Sequence, residues 1–246
     1  MKQVLSVLEY YSKRNLPRAL IISAVMLAAE AAYSALYFRK APSSLYAAGS
    51  VLFFISVAAC AALYFALFGP SSKGSGFSYR VRMLQTSEKK VYWLNVIHNI
   101  LMFLIFWGFQ VLALLIAAHM YTSRAGSAVS PQGVMTELCA KSALLYIIPL
   151  KDASMAVSHI LLTVLLSIGA ASGSVRRRYS VFAGLSVTIV IVYVGIMVSA
   201  VNTYGRTLHV VIASAIAVFV LGFISVLRSN IIITEHEEAE EAGNEW

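Results

Sequence analysis

Charge is what this sequence has least of. Of 246 residues, 12% are Asp, Glu, Lys or Arg and 59% are apolar, and the mean hydropathy is +0.78. Soluble domains hold about 25% charged and about 45–50% apolar residues. A soluble particle made from this chain could not cover its own surface. A bilayer removes the difficulty, because lipid-facing positions need not be polar. Cysteine is scarce too: Cys60 lies in an apolar run and Cys139 in a connection, too few for a disulfide framework. There is no glycine-rich ATP-binding loop, no His-Glu-x-x-His and no Gly-x-Ser-x-Gly. No catalytic centre, cofactor or metal is therefore expected within this chain. The net charge of +8 is spread over connections between apolar runs, with no aromatic-interleaved basic patch, so nucleic acid is not an expected partner. The first 18 residues hold Lys2, Lys13, Arg14 and Arg18 and no cleavage site after a short apolar core, so no cleavable leader is expected.

What is present is a series of long apolar runs. About 20 such residues cross about 30 Å of hydrocarbon. Leu20–Phe38, Leu45–Phe68, Leu94–Tyr121, Met155–Gly173, Tyr179–Val201 and Leu208–Leu227 meet that length to within a few residues. The fourth is the weakest, being short and opening on Ser158 and His159. The expected fold class is all-α: a polytopic membrane protein with six transmembrane helices in one domain, residues 1–232. Residues 233–246 form an acidic tail with six glutamates, read as solvated. Orientation follows from Lys and Arg: 13 fall on the side of the N-terminus and 6 on the other. The heavier side is cytoplasmic, which puts both termini inside.

Three segments outside the runs have character. Residues 3–14 place Val4, Leu5, Val7, Leu8 and Tyr11 at helical spacing, as in an amphipathic helix lying on the inner leaflet in contact with lipid. Val134–Leu150 is apolar but short and contains Glu137 and Lys141, which fits an interfacial or re-entrant helix. Residues 69–92 open with Gly-Pro-Ser-Ser-Lys-Gly-Ser-Gly and continue to Arg80-Val-Arg82-Met83-Leu84-Gln-Thr-Ser87-Glu88-Lys-Lys90. Ser87 is placed to cap a helix with Glu88 in its first turn, running unbroken into the third span.

That cytoplasmic stretch, basic–Met-Leu–x–Thr-Ser-Glu-Lys-Lys leading into the third span, resembles permease subunits of ATP-binding-cassette exporters. Many of these carry a Leu-Pro-x-Ser-Arg-like sequence there; Gln85 stands where they have Pro. The layout is similar as well: six spans, a cytoplasmic N-terminus and an amphipathic helix before the first span. The large outer connection differs, lying here between spans three and four. The resemblance implies a multi-pass subunit of a bacterial plasma membrane. It would work with a second permease subunit, as a homodimer or heterodimer, and with cytoplasmic ATPase subunits that bind the ATP. Arg80, Arg82, Met83, Leu84, Ser87 and Glu88 would then contact the ATPase. A lipid, peptide or other amphipathic substrate is the implied cargo.

Within the spans, Glu30 is the only carboxylate. A charge at that depth is costly, so an intramembrane acid is a candidate for the pathway or its gating. Tyr33 and Tyr37 follow it at i+3 and i+7, and Gln110 in span three is a possible partner. The reading from another class is a haem b-bearing anchor of a redox complex, suggested by His119, His159 and His209 near the outer ends of spans; His98 lies alone towards the inner side. Gly169-Ala-Ala-Ser-Gly173 spaces two glycines for close helix approach.

Overall fold

In the computed structural model, residues 2–40, 45–68, 87–125, 130, 132–134, 153–178, 184–202 and 207–243 are described. Every long element among them is helical: α1 Lys2–Lys40, α2 Leu45–Ala66, α3 Glu88–Ala125, α4 Ala153–Arg178, α5 Gly184–Asn202, α6 Thr207–Ala217 and α7 Phe223–Gly243. A π-helical segment, Val218–Gly222, joins α6 to α7. Five helical stretches are long and apolar enough to cross a membrane, the fifth running through the π segment. In α5 the apolar stretch Gly184–Ser199 is shorter.

Packing pairs fix the directions. Along α1 and α3, Tyr11 meets His98, Glu30 meets Gln110 and Phe38 meets Tyr121. Both numbers rise together, so α1 and α3 are parallel. Glu30 bonds Ser56 and Arg18 bonds the Ala66 carbonyl, so α2 runs antiparallel to them. The Arg18 contact also sets a cation against the C-terminal carbonyls of α2, which the helix dipole favours. Tyr92–Ser172 and Trp107–His159 make α4 antiparallel to α3. Ser158–Ser214 and Ser172–Ser225 make α4 parallel to α6 and α7.

The helix at the centre is α4, which packs on α2, α3, α5, α6 and α7. That position explains its composition. A helix that meets protein on most sides has no need of a lipid-facing apolar surface. Its small and polar residues Ser158, Ser167, Gly169, Ala170, Ala171, Ser172 and Gly173 are buried among neighbouring helices. A carbon added at Gly169 would lie 2.7 Å from the Tyr64 hydroxyl and 2.9 Å from Ile189; at Gly173 it would lie 2.8 Å from the Phe68 ring. At the glycine pair Tyr64 of α2, Phe68 just past its end and Ile189 of α5 press closely on α4.

The N-terminal stretch differs from expectation. Residues 3–14 are helical, but they continue without a break through Pro17 into the first apolar run. Pro17 is exposed, so the carbonyl it cannot satisfy is open to the surroundings. Val7 and Tyr11 are buried against Val91, with Tyr10 and Leu94 beside them. This first part of α1 is held by α3 through Val7 and Tyr11, while Leu5 stays exposed. Lys13 and Glu9 pair on its exposed side at 2.6 Å. At the other end, α7 crosses the expected boundary at residue 233 and stays helical to Gly243, in keeping with the helix propensity of its Glu and Ala residues.

Candidate functional site

Glu30 is buried by a stripe on α1 that advances mostly in steps of four: Val7, Tyr11, Asn15, Ala19, Ser23, Met26, Glu30, Ser34 and Phe38 are all buried. The carboxyl group meets two other helices. Ser56 on α2 donates to Oε1 at 2.9 Å. The Gln110 amide nitrogen on α3 lies 3.2 Å from Oε1 and 3.0 Å from Oε2. Three helices therefore converge on one carboxyl group in an apolar interior. Each bond between helices contributes on the order of 0.6–2 kcal/mol in a membrane. Oε1 accepts from two donors and Oε2 from one, which leaves Oε2 with spare acceptor capacity.

A cavity of about 20 Å³ adjoins this site, lined by Ser56, Phe106, Trp107, Gln110, Tyr193 and neighbouring side chains. That is room for about one water molecule. Tyr193 of α5 reaches the same region and bonds the buried Cys60 thiol.

Gln110 stands where sequence reasoning placed it, as the partner of Glu30. Ser56 was missed; in hindsight the signal was a lone hydroxyl in the middle of an apolar run on the antiparallel neighbour. Tyr33 and Tyr37 are not brought to the carboxyl group. The buried stripe continues through Ser34 and Phe38, and the two tyrosines sit half-buried on its flank, rings stacked 5.8 Å apart.

Of the expected ATPase contact, Arg80, Arg82, Met83 and Leu84 lie outside the described residues. Ser87 is exposed at the start of α3, and its carbonyl accepts from the amides of Lys90 and Val91. Glu88 is the first residue of the helix. Residues 135–150 of the connection between α3 and α4 also lie outside the described residues; Val134 is buried in the main core.

The histidines are dispersed. His98 is buried with its ring 5.8 Å from Tyr11, and His159 is buried edge-on to Trp107 at 4.6 Å. His119 and His209 are exposed. Among the described residues, no three or more His, Cys, Asp or Glu side chains gather in a metal-binding group.

Comparison with protein-family models, curated proteins and solved structures finds no match to this chain. Among the described residues the fold is an all-helical bundle with five helical stretches long and apolar enough to cross a membrane, compatible with a multi-pass membrane protein.

Proposed function

We propose that this chain is a membrane transport subunit: the six-span permease of an ATP-driven exporter, working in pairs with cytoplasmic ATPase subunits. The observation that carries transport is Glu30, a carboxyl group enclosed by three apolar helices and bonded to Ser56 and Gln110. Side chains of this kind inside a membrane mark substrate and ion pathways. The ATPase partner is supported by the resemblance of residues 80–90 and by their position. They precede α3, a helix of 38 residues, so force applied there would be transmitted along a rigid lever to Gln110.

In this reading Gly184–Ser199 and its flanking residues make the fifth of six spans, and the alternating directions of α1, α2, α3 and α4 support alternate crossings. Both termini then face the cytoplasm of a bacterium. On intact cells, an impermeant thiol reagent is expected to label Ser127→Cys and spare Ser75→Cys; the opposite pattern reverses the orientation. For the partner, the double change Met83→Asp, Leu84→Asp keeps every basic residue while placing charge where an apolar contact is proposed. It is expected to insert normally and to lose the co-purifying ATPase subunit. Equal recovery of an ATPase with the variant and with wild type removes the docking assignment.

A further inference from the structure

Glu30 is not the only unusual group between α1 and α3. The stripe that α1 turns towards α3 carries Asn15, Ser23, Glu30 and Ser34, all buried. On α3, Asn95, His98 and Gln110 are buried too, while buried Asn99 turns to α4, where its amide nitrogen donates to the Ser167 carbonyl at 3.4 Å. Several of their polar atoms have no hydrogen-bond partner among the described residues. These are both amide atoms of Asn15, the hydroxyls of Ser23 and Ser34, Oδ1 of Asn95 and Asn99, Nε2 of His98 and Oε1 of Gln110. Leaving one such atom dry costs on the order of 1–3 kcal/mol, so a dry seam with this many would be strongly penalised. Water is the simplest partner, and amides, hydroxyls and imidazole each both donate and accept.

The parallel register orders these groups by depth. Tyr11 meets His98, so Asn15, one turn further on, lies about 6 Å beyond it, near the level of Met102. Ser23 follows about 12 Å beyond Asn15 and Glu30 about 10 Å beyond Ser23, at 1.5 Å per residue. Between them stand Ala19, Met26 and Met102. Unbranched methionine side chains shift readily between rotamers, which is the movement a file of water would need to pass them. The cavity beside Ser56 and Gln110 has room for about one further water.

We infer that the α1–α3 seam is a proton pathway, with His98 and Glu30 as its two proton-holding sites and Asn15 and Ser23 positioning the water between them. A proton from bulk water at the Lys2 end adds to Nε2 of neutral His98, giving imidazolium. It passes along the water file to Oε2 of the Glu30 carboxylate, giving the neutral acid and restoring imidazole. Release towards the Lys40 end regenerates the carboxylate. No bond other than O–H and N–H is made or broken. The ionisable group against His98 is Tyr11 of α1, three residues before half-buried Arg14. Nearest the Glu30 site are Tyr193 of α5, which lines the adjoining cavity and neighbours Cys60 of α2, and, past Trp107, His159 on α4. Among the described residues none of these supplies a carboxylate or a fixed cation at the depth of Glu30. The pathway goes beyond the exporter reading, since it needs no ATPase.

The test uses the purified chain alone in vesicles loaded with a pH-sensitive dye, with an imposed membrane potential and no ATPase. Wild type is expected to carry protons at least tenfold faster than protein-free vesicles. Glu30→Gln keeps size and hydrogen bonding and is expected to abolish that flux, as is His98→Gln. Flux no faster than in protein-free vesicles, or undiminished in a folded Glu30→Gln protein, overturns the pathway. Should either variant fail to fold, Ser23→Cys decides, in a chain with Cys60 and Cys139 replaced by Ser. A small thiol reagent is expected to modify Cys at 23 and to block flux; an inert thiol means a dry seam and ends the proposal.

Discussion

Gly173→Val is expected to lower the stability of the purified protein by about 1–3 kcal/mol, and by more if the bundle cannot relax. The first added carbon already falls 2.8 Å from the Phe68 ring, well inside contact distance. Phe68 is buried and touches Tyr64 edge-on at 5.0 Å, so the ring has little room to retreat. Tyr64 in turn donates to the Ser186 carbonyl at 2.8 Å, and the Ser186 hydroxyl reaches the Gly169 carbonyl at 3.4 Å. Pushing α4 from α2 at Gly173 therefore pulls on α5 as well. Two other glycines provide the control. An added carbon at Gly108 or Gly195 meets nothing within 4 Å, so Gly108→Ala and Gly195→Ala should be neutral or slightly stabilising, as a helical Gly→Ala change is elsewhere. Thermal unfolding in detergent separates the two classes. Equal midpoints for Gly173→Val and Gly108→Ala would show that α2 and α4 do not meet closely there.

The second large effect belongs to Gln110. Gln110→Leu removes the donor that reaches both Glu30 oxygens and leaves a buried carboxyl group with Ser56 alone. The expected loss is about 1–3 kcal/mol, mostly the cost of the stranded polar group. Glu30→Leu alone should also destabilise, since it strands the Gln110 amide and the Ser56 hydroxyl. The double variant should recover much of the sum, because two apolar side chains can then pack without an orphaned partner. A double-mutant cycle measured by denaturant titration in mixed micelles gives the coupling directly. Strict additivity would mean that Glu30 and Gln110 do not interact.

These two cases also show how far the amino-acid pattern alone can be read. Hydropathy located the long helices, and the capping residues Ser87 and Glu88 anticipated where α3 begins. It underrated α4, because a helix enclosed by other helices is free to carry Ser, Gly and His, and those residues lower the average that marks a span. The Glu30–Gln110 pair was legible from scarcity: few polar groups lie deep in an apolar run, and such groups seek one another. Ser56 was not, since which face of α2 meets α1 depends on the antiparallel register. The tyrosines were misplaced for a related reason. Spacing along an ideal helix set Tyr37 near the Glu30 face, whereas the buried stripe of α1 drifts and takes Ser34 and Phe38 instead. Continuity of α1 through Pro17 was hidden too, because it depends on Val91 and His98, more than 70 residues away, gripping the first turns.

The join between α6 and α7 has an arithmetic of its own. The side chains turned inward fall at Val210, Ser214, Ala217, Gly222, Ser225, Ser229 and Ile233. Every interval is three or four residues except the one across Val218–Gly222, which is five. That stretch stores one surplus residue, as a single wide turn within an α-helix does. Were the wide turn to move along the chain, only the residues it passed would rotate, by about 100° each given 3.6 residues per turn. Both ends of the rod would stay where they are. A helix of this kind can change which side chains face α4 at one depth while Ser158–Ser214 above and Ser172–Ser225 below remain engaged: a local twist with no net travel.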